Sequence, residues 1–392
     1  MSVSEDAARL NREAMKAMAG RRLDEAARLL VEALTIDARS LPAWMNLAAI
    51  KRAQGDLPGA MQAVDKAREI DQLYFPALLM RGTLYEAMGK PRHAAYAYTI
   101  ALTQMLPEDV TDAATERAVS HAREVLATHR DAMESFLRQE MASETVARGD
   151  SAAARRMNGF LGHVTGKRRL YQPTPSNFYY PGLAPVEFFD RKDFPWTEAL
   201  EAATPDVQAE LAGVLADEAA TAGIVPYAQL PDTEPLEQWA ELNNSLSWSA
   251  YHFALHGQLN AEHRAKCPKT AALLDGLPQP FVQHRSPTAL FSILRPGTHI
   301  PPHCGYSNFR LICHLPLVLP PDCQFRVGNE TRQWRIGETL IFDDTIEHEA
   351  WNRSGQIRTV LIFDIWHPGL TQDERDFVSR TVAALDRFNE SA

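Results

Sequence analysis

Two histidines, His303 and His348, stand 45 residues apart (348 − 303), and Arg358 follows the second by ten. Their settings read His303-Cys304-Gly305, Ile346-Glu347-His348-Glu349 and Ile357-Arg358-Thr359. Neutral imidazole is a ligand for iron, copper, nickel or zinc, and a guanidinium can grip a carboxylate through two parallel hydrogen bonds. The order and spacing suit a small β-barrel that holds a redox-active iron beside a dicarboxylate co-substrate. Iron oxygenases usually add an Asp or Glu two residues after the first histidine. Here that position is Gly305, which has no side chain.

Further polar residues lie in the same stretch. Arg358 opens the apolar run Thr359-Val360-Leu361-Ile362-Phe363, which has to be buried. A buried cation needs an anion: a ligand carboxylate, or one of Asp343, Asp344 and Glu347. Along Phe309–Leu315, alternation puts Arg310, Ile312 and His314 on one face and Leu311, Cys313 and Leu315 on the other. Ser292 adds a hydroxyl on a neighbouring strand. Asp344, four residues before His348, either orients a metal-bound water from behind the ligands or caps the turn that begins at Asp343.

The elements that must position these groups follow a strand period after about residue 280. Thr288–Leu294, Phe309–Leu319, Cys323–Val327, Thr331–Arg335, Thr339–Phe342 and Ile357–Trp366 read as strands, with Gly328-Asn329-Glu330 as a hairpin turn. Short strands separated by turns, with no helix between them, predict an antiparallel jelly-roll.

The first hundred residues obey a different rule. Ala26, Ala60 and Ala94 recur every 34 residues, as do Leu10, Trp44 and Leu78, Ala14, Ala48 and Gly82, and Ala33, Ala67 and Ala101. Gly55 and Gly89 share a turn slot that Arg21 fills in the first unit. Large and small residues at this period predict tetratricopeptide-like helical hairpins stacked into a short solenoid. Residues 108–144 read as a further helical pair capping it. The Pro- and aromatic-rich stretch Gln172–Gly182 reads as an extended connection, and 196–222 as helix with Leu200, Val207, Leu211 and Leu215 on one side. The predicted organisation is a helical-repeat domain over 1–145, a linker over 146–180 and a β-domain over 181–392.

A formal charge of −10, from 40 basic and 50 acidic residues, argues against nucleic acid or an anionic membrane as partner. The acidic start lacks a secretory signal, and no run of about 18 apolar residues occurs. Cys267, Cys304, Cys313 and Cys323 form no CxxC pair, so they are expected as free thiols in the cytoplasm.

Several ordered segments resemble the aspartyl/asparaginyl β-hydroxylase family. They are Phe291–His299, His303-Cys304-Gly305 through Asn308–Leu311 to His314-Leu315, Ile341–Asp344 with Glu347–Trp351, and Asp364–Pro368. The similarity covers roughly 280–368 and runs more weakly back to Trp248 and Pro268-Lys269-Thr270. It implies a double-stranded β-helix using Fe(II), 2-oxoglutarate and O2, with the metal held by two histidines and no carboxylate. His303 and His348 would be the ligands. Arg358 and Ser292 would anchor the distal carboxylate of 2-oxoglutarate, with His314 near its other end and Arg310 at a matching family position. Animal members align a second arginine where this chain has Ile312; they also carry a membrane anchor, which is not expected here. The expected reaction is hydroxylation of a C–H bond, at the β-carbon of Asp or Asn in a peptide or protein that the repeats could hold. Rival readings are an acyl-lipid or small-molecule hydroxylase, a halogenase placing chloride in the vacancy at Gly305, and a non-catalytic repeat scaffold.

Overall fold

The computed structural model describes residues 3–106, 109, 112–141, 152–231 and 239–390. Residues 108, 110–111 and 142–144 of the predicted capping pair and the first linker residues (146–151) lie outside them. Contacts divide the chain into two compact units, Met1–Lys167 and Arg168–Ala392.

In the first unit, α1 (Val3–Ala19), α2 (Leu23–Ile36), α3 (Leu41–Ala53), α4 (Leu57–Ile70), α5 (Phe75–Ala87) and α6 (Pro91–Gln104) form three antiparallel hairpins. The small residues at the 34-residue period are buried where helices touch: Ala26, Ala60 and Ala94 are all 0% exposed. Gly82 is small because a Cβ there would run into the Tyr98 ring. The turn slot has a left-handed backbone in every unit, with φ of 59° at Arg21, 81° at Gly55 and 67° at Gly89. Residues 113–140 differ from the predicted helical pair. They form one helix, α7 (Ala113–Glu140), because no Gly or Pro interrupts it. Its Val119, Ala122 and Leu126 close the apolar end of the stack against Phe75, Leu78 and Tyr98. Helix α8 (Ala152–Val164) follows.

The second unit is built on two antiparallel sheets. Its strands are β1 (Phe188–Phe189), β2 (Val225–Pro226), β3 (Trp248–Leu255), β4 (Gln258–Leu259), β5 (Ala289–Leu294), β6 (His299–His303), β7 (Arg310–Val318), β8 (Cys323–Val327), β9 (Glu330–Arg332), β10 (Leu340–Phe342), β11 (His348–Asn352) and β12 (Arg358–Trp366). The larger sheet runs β1-β10-β7-β12-β5-β3-β2, with β4 on β3; the smaller runs β6-β11-β8-β9. This is the expected jelly-roll, a double-stranded β-helix. Helices α9 (Thr197–Ala202), α10 (Thr204–Ala216), α11 (Glu218–Thr221), α12 (Ala261–Lys266) and α13 (Pro268–Asp275) accompany the sheets, and α14 (Gln372–Glu390) ends the unit. One core forms where Leu200, Val207 and Leu211 meet Leu311, Cys313, Leu315 and Phe363. A second gathers Trp248, Phe325, Trp334 and Phe342, with Ile312 against it. The alternation expected along β7 is therefore observed. The predicted 196–222 helix is broken near Ala203, so Val214 is buried and Leu215 is 42% exposed.

The histidines sit on two strands that the strand period does not reveal. Strand β6 contains Pro301 and Pro302, which read as breakers but are tolerated on the sheet edge where β6 lies. Strand β11 is short, with Glu349 and Trp351 alternating with buried His348, Ala350 and Asn352. Strand β9 ends at Arg332, short of the predicted Arg335, and Trp334 beyond it is buried. Part of the Pro-rich connection, residues 174–178, hydrogen-bonds to the β10–β11 turn and the loop after His303: Thr174 N to Thr345 O (2.8 Å), Ser176 N to Gly305 O (3.1 Å) and Phe178 N to Tyr306 O (2.9 Å). Among the described residues no helix is long and apolar enough to cross a membrane.

Candidate active site

Strands β6 and β11 pair so that His303 lies directly opposite His348, with ring centroids 4.0 Å apart at 51°. In each ring Nδ1 points to a backbone carbonyl two residues earlier: Pro301 O at 2.8 Å and Ile346 O at 3.1 Å. A carbonyl can only accept, so each neutral ring carries its proton on Nδ1 and a lone pair on Nε2. Burial, with His348 alongside, pulls His303 down to about 3; burial likewise brings His348 to about 4. Both rings are thus neutral donors at physiological pH, the form a transition metal requires.

An acid from the β10–β11 turn acts on this pair. Asp344 Oδ2 accepts from Arg310 Nη2 at 2.9 Å, with both side chains almost fully buried. Asp344 Oδ1 and the Nε and Nη1 of Arg310 have no partner among the described residues. A Cβ on Gly305 would overlap the Asp344 carboxyl. The space beside Gly305 is therefore filled, contrary to the vacancy that a halogenase would use. The turn is capped by Asp343, whose Oδ1 accepts from Thr345 N (2.9 Å) and Oγ1 (2.6 Å), which leaves Asp344 to Arg310. Burial pushes the Asp344 carboxyl upward and Arg310 opposes it. The Arg310 guanidinium also lies 4.3 Å above the Tyr306 ring. No group of three or more His, Cys, Asp or Glu with metal-binding geometry occurs among the described residues, so Asp344 stands behind the imidazole pair rather than with it.

Arg358 begins β12 and is 1% exposed. Its Nε and Nη1 have no partner among the described residues, and burial lowers it to about 10, so it remains a cation. None of the three acids available in sequence holds it: Asp343 serves Thr345, Asp344 serves Arg310, and Glu347 pairs with Arg326 at 2.8 Å. Ser292 lies on β5, opposite Val360 of β12, and its oxygen accepts from Trp248 Nε1 at 3.2 Å. Its hydroxyl proton is left available. His314 on β7 is buried and held well below its ordinary range by burial and by Arg358. Trp334 Nε1 donates to its Nδ1 at 3.4 Å.

Several further side chains surround the site, and of these Tyr227, Trp239 and Arg326 are not singled out by the sequence. Trp239 meets His303 edge to face at 5.0 Å, and Trp248 stacks on Tyr227 at 3.8 Å. Arg326 of β8 bonds Glu347 and Glu349, the residues flanking His348. Alternation in β8 turns Arg326 away from its core side, but only the register against β11 shows its partners.

A family model for aspartyl/asparaginyl β-hydroxylase matches residues 205–368. The human aspartyl/asparaginyl β-hydroxylase is 39% identical over 147 residues, 37% of this chain and 18% of that protein. An ornithine lipid ester-linked acyl 2-hydroxylase of Rhizobium tropici is 31% identical over 196 residues, 49% of this chain and 64% of that protein. Aspartate β-hydroxylase domain-containing protein 2 of Xenopus tropicalis is 28% identical over 266 residues, 66% of this chain and 68% of that protein. The match thus spans under a fifth of the human relative and just under two thirds of the rhizobial one. Among solved structures, the TPR domain of Arabidopsis OM64 is similar at 22% identity and a TM-score of 0.28, covering 31% of this chain and 98% of that domain. Residues 205–368, which include the strands that hold His303, His348 and Arg358, are thus similar to the aspartyl/asparaginyl β-hydroxylase family and follow an N-terminal helical-repeat unit.

Proposed function

We propose that this protein is an Fe(II)- and 2-oxoglutarate-dependent hydroxylase acting on a C–H bond of a peptide or protein, at the β-carbon of Asp or Asn. The observation that carries this is Arg358: a fully buried cation whose Nε and Nη1 have no partner, and which pairs with no acid, among the described residues, in the same small barrel as two neutral imidazoles with free Nε2 lone pairs. A buried charge left in this state is costly, and a dicarboxylate that also reaches a metal on His303 and His348 satisfies both. Iron bound there would supply, with O2 and 2-oxoglutarate, the oxidation that hydroxylates the substrate and yields succinate and CO2.

The chain's own residues have separable tasks. His303 and His348 would hold the metal by Nε2. Arg358 would grip the distal carboxylate of 2-oxoglutarate, with the Ser292 hydroxyl donating to the same group, and His314 would face its other end. Asp344 Oδ1, buried and unpartnered, would accept from a water on the metal, held in place by Arg310. The Nε and Nη1 of Arg310 remain for an anionic group of the substrate. The stacked helical hairpins would retain a peptide. The free thiols of Cys267, Cys304, Cys313 and Cys323 fit a reducing, cytoplasmic setting.

A second substrate reading is favoured by one observation. The aromatic side chains of Tyr227, Trp239 and Trp248 gather beside His303, and the rhizobial relative is named for an acyl 2-hydroxylase; an acyl chain would pack against such rings. Succinate release from 2-oxoglutarate, measured separately with an Asp/Asn peptide library and with acylated lipids, decides between them. Peptide-stimulated turnover with a 16-dalton product increment is expected. Stimulation by lipid alone would transfer the assignment, and no turnover with either would leave a scaffold.

A further inference from the structure

Three histidines line the barrel, and their hydrogen bonds sort them into two kinds. His303 and His348 each give Nδ1–H to a carbonyl. His314 does the opposite: its Nδ1 meets Trp334 Nε1 at 3.4 Å. Indole N–H can only donate, so His314 Nδ1 must accept, and the proton of the neutral ring resides on Nε2. Two rings offer lone pairs and the third offers an N–H, from one amino-acid type.

The same indole meets Arg358. The guanidinium carbon lies over the Trp334 ring, 4.9 Å from its centroid, in the geometry of cation–π attraction. Trp334 is itself locked, 3% exposed and stacked on Phe325 at 5.3 Å and 17°. Phe325 in turn packs on Phe342, 4.7 Å away. A phenyl ring at 334 would present a face to Arg358 but no proton to His314; an aliphatic residue would present neither.

We infer that Trp334 is a positioning residue for an anion seat: its N–H edge fixes His314 as an Nε2–H donor and its face orients the Arg358 cation, so both donors await one dicarboxylate. The inference rests on the co-substrate proposed above, so its test needs a readout independent of turnover. Long-range proton–nitrogen spectra of [15N]histidine-labelled full-length protein, with His314 assigned through His314→Gln, give that readout. In the wild type His314 is expected as the Nε2–H tautomer and His303 and His348 as Nδ1–H. In Trp334→Phe the His314 resonances should move toward a tautomer mixture. Affinity of the Mn(II)-loaded protein for 2-oxoglutarate should fall about tenfold, the weight of one lost hydrogen bond to a charged ligand's donor, and further in Trp334→Leu. A wild-type His314 in the Nδ1–H form overturns the inference even if the variants do not fold. So does a Trp334→Phe protein with unchanged resonances and unchanged affinity. If the wild type shows the expected tautomers but binds no 2-oxoglutarate, the role of Trp334 on His314 stands and the co-substrate assignment falls.

Discussion

The carboxyl of Asp344 lies where a side chain on residue 305 would grow, and Gly305 N donates to Asp344 O at 2.6 Å. One carboxylate has room beside His303, and it comes from the β10–β11 turn. Gly305→Ala should therefore cost about 1–3 kcal/mol of stability by overpacking. Gly305→Asp should cost more, because it also places two acids together. Combining Gly305→Asp with Asp344→Gly should recover much of the loss, since the new carboxylate can face Arg310. Urea denaturation of the wild type, Gly305→Asp, Asp344→Gly and the double variant tests this coupling; strict additivity would contradict it.

Arg310 depends on Asp344 in turn. Asp344→Ala removes the acid and leaves a buried guanidinium unpaired, with an expected loss of about 3–5 kcal/mol. Asp344→Asn keeps an acceptor oxygen and should lose less. Equal stability of the alanine variant and the wild type would mean that Arg310 finds water instead.

In the solenoid, Arg21 adopts the left-handed backbone that glycine provides at positions 55 and 89. Arg21→Gly should stabilise the protein by about 0.5–1 kcal/mol, the relief of backbone strain less the extra entropy of glycine in the unfolded chain. Gly82→Ala should destabilise it, since the added methyl meets the Tyr98 ring. Thermal unfolding of the two variants should shift in opposite directions.

Acid should weaken the fold through buried histidines. Burial brings His252 and His367 down to about 4, below an unfolded value of about 6.5. Their stabilising contribution is complete above that value and is lost as the pH falls through about 4. Asp364, raised to about 6 by burial, works in the other sense: its contribution is complete below its unfolded range and is lost as the pH rises through about 6. Denaturation midpoints should fall between about pH 6.5 and about pH 4.5, and His367→Asn should flatten that fall. A steeper fall in the variant would reverse the sign assigned to His367.

Much of this architecture is legible in the order of the amino acids. Alternation places Arg310, Ile312 and His314 on one face, and the 34-residue period places each helical hairpin, because both follow from local geometry. What is not legible depends on register and on loops. The partners of Arg326 are set by how β8 lies against β11, and the filling of the space at Gly305 by a residue 39 positions away (344 − 305). The prolines of β6 conceal a strand because their missing N–H groups matter only if the strand has neighbours on both sides. Trp334 looks like one more strand residue, yet it lies beyond the end of β9 and turns both its face and its N–H to functional groups.

In the proposed site an imidazole pair alone, from His303 and His348, would grip the metal. X-ray absorption at the iron edge of the anaerobic Fe(II)-loaded protein reads that ligand set itself. The spectrum should require two imidazole scatterers, with water or co-substrate oxygens completing the shell, and stoichiometric iron should be lost in His303→Ala and in His348→Ala. Three protein imidazoles, a sulfur from Cys304, or full iron retention in either variant would contradict the assignment.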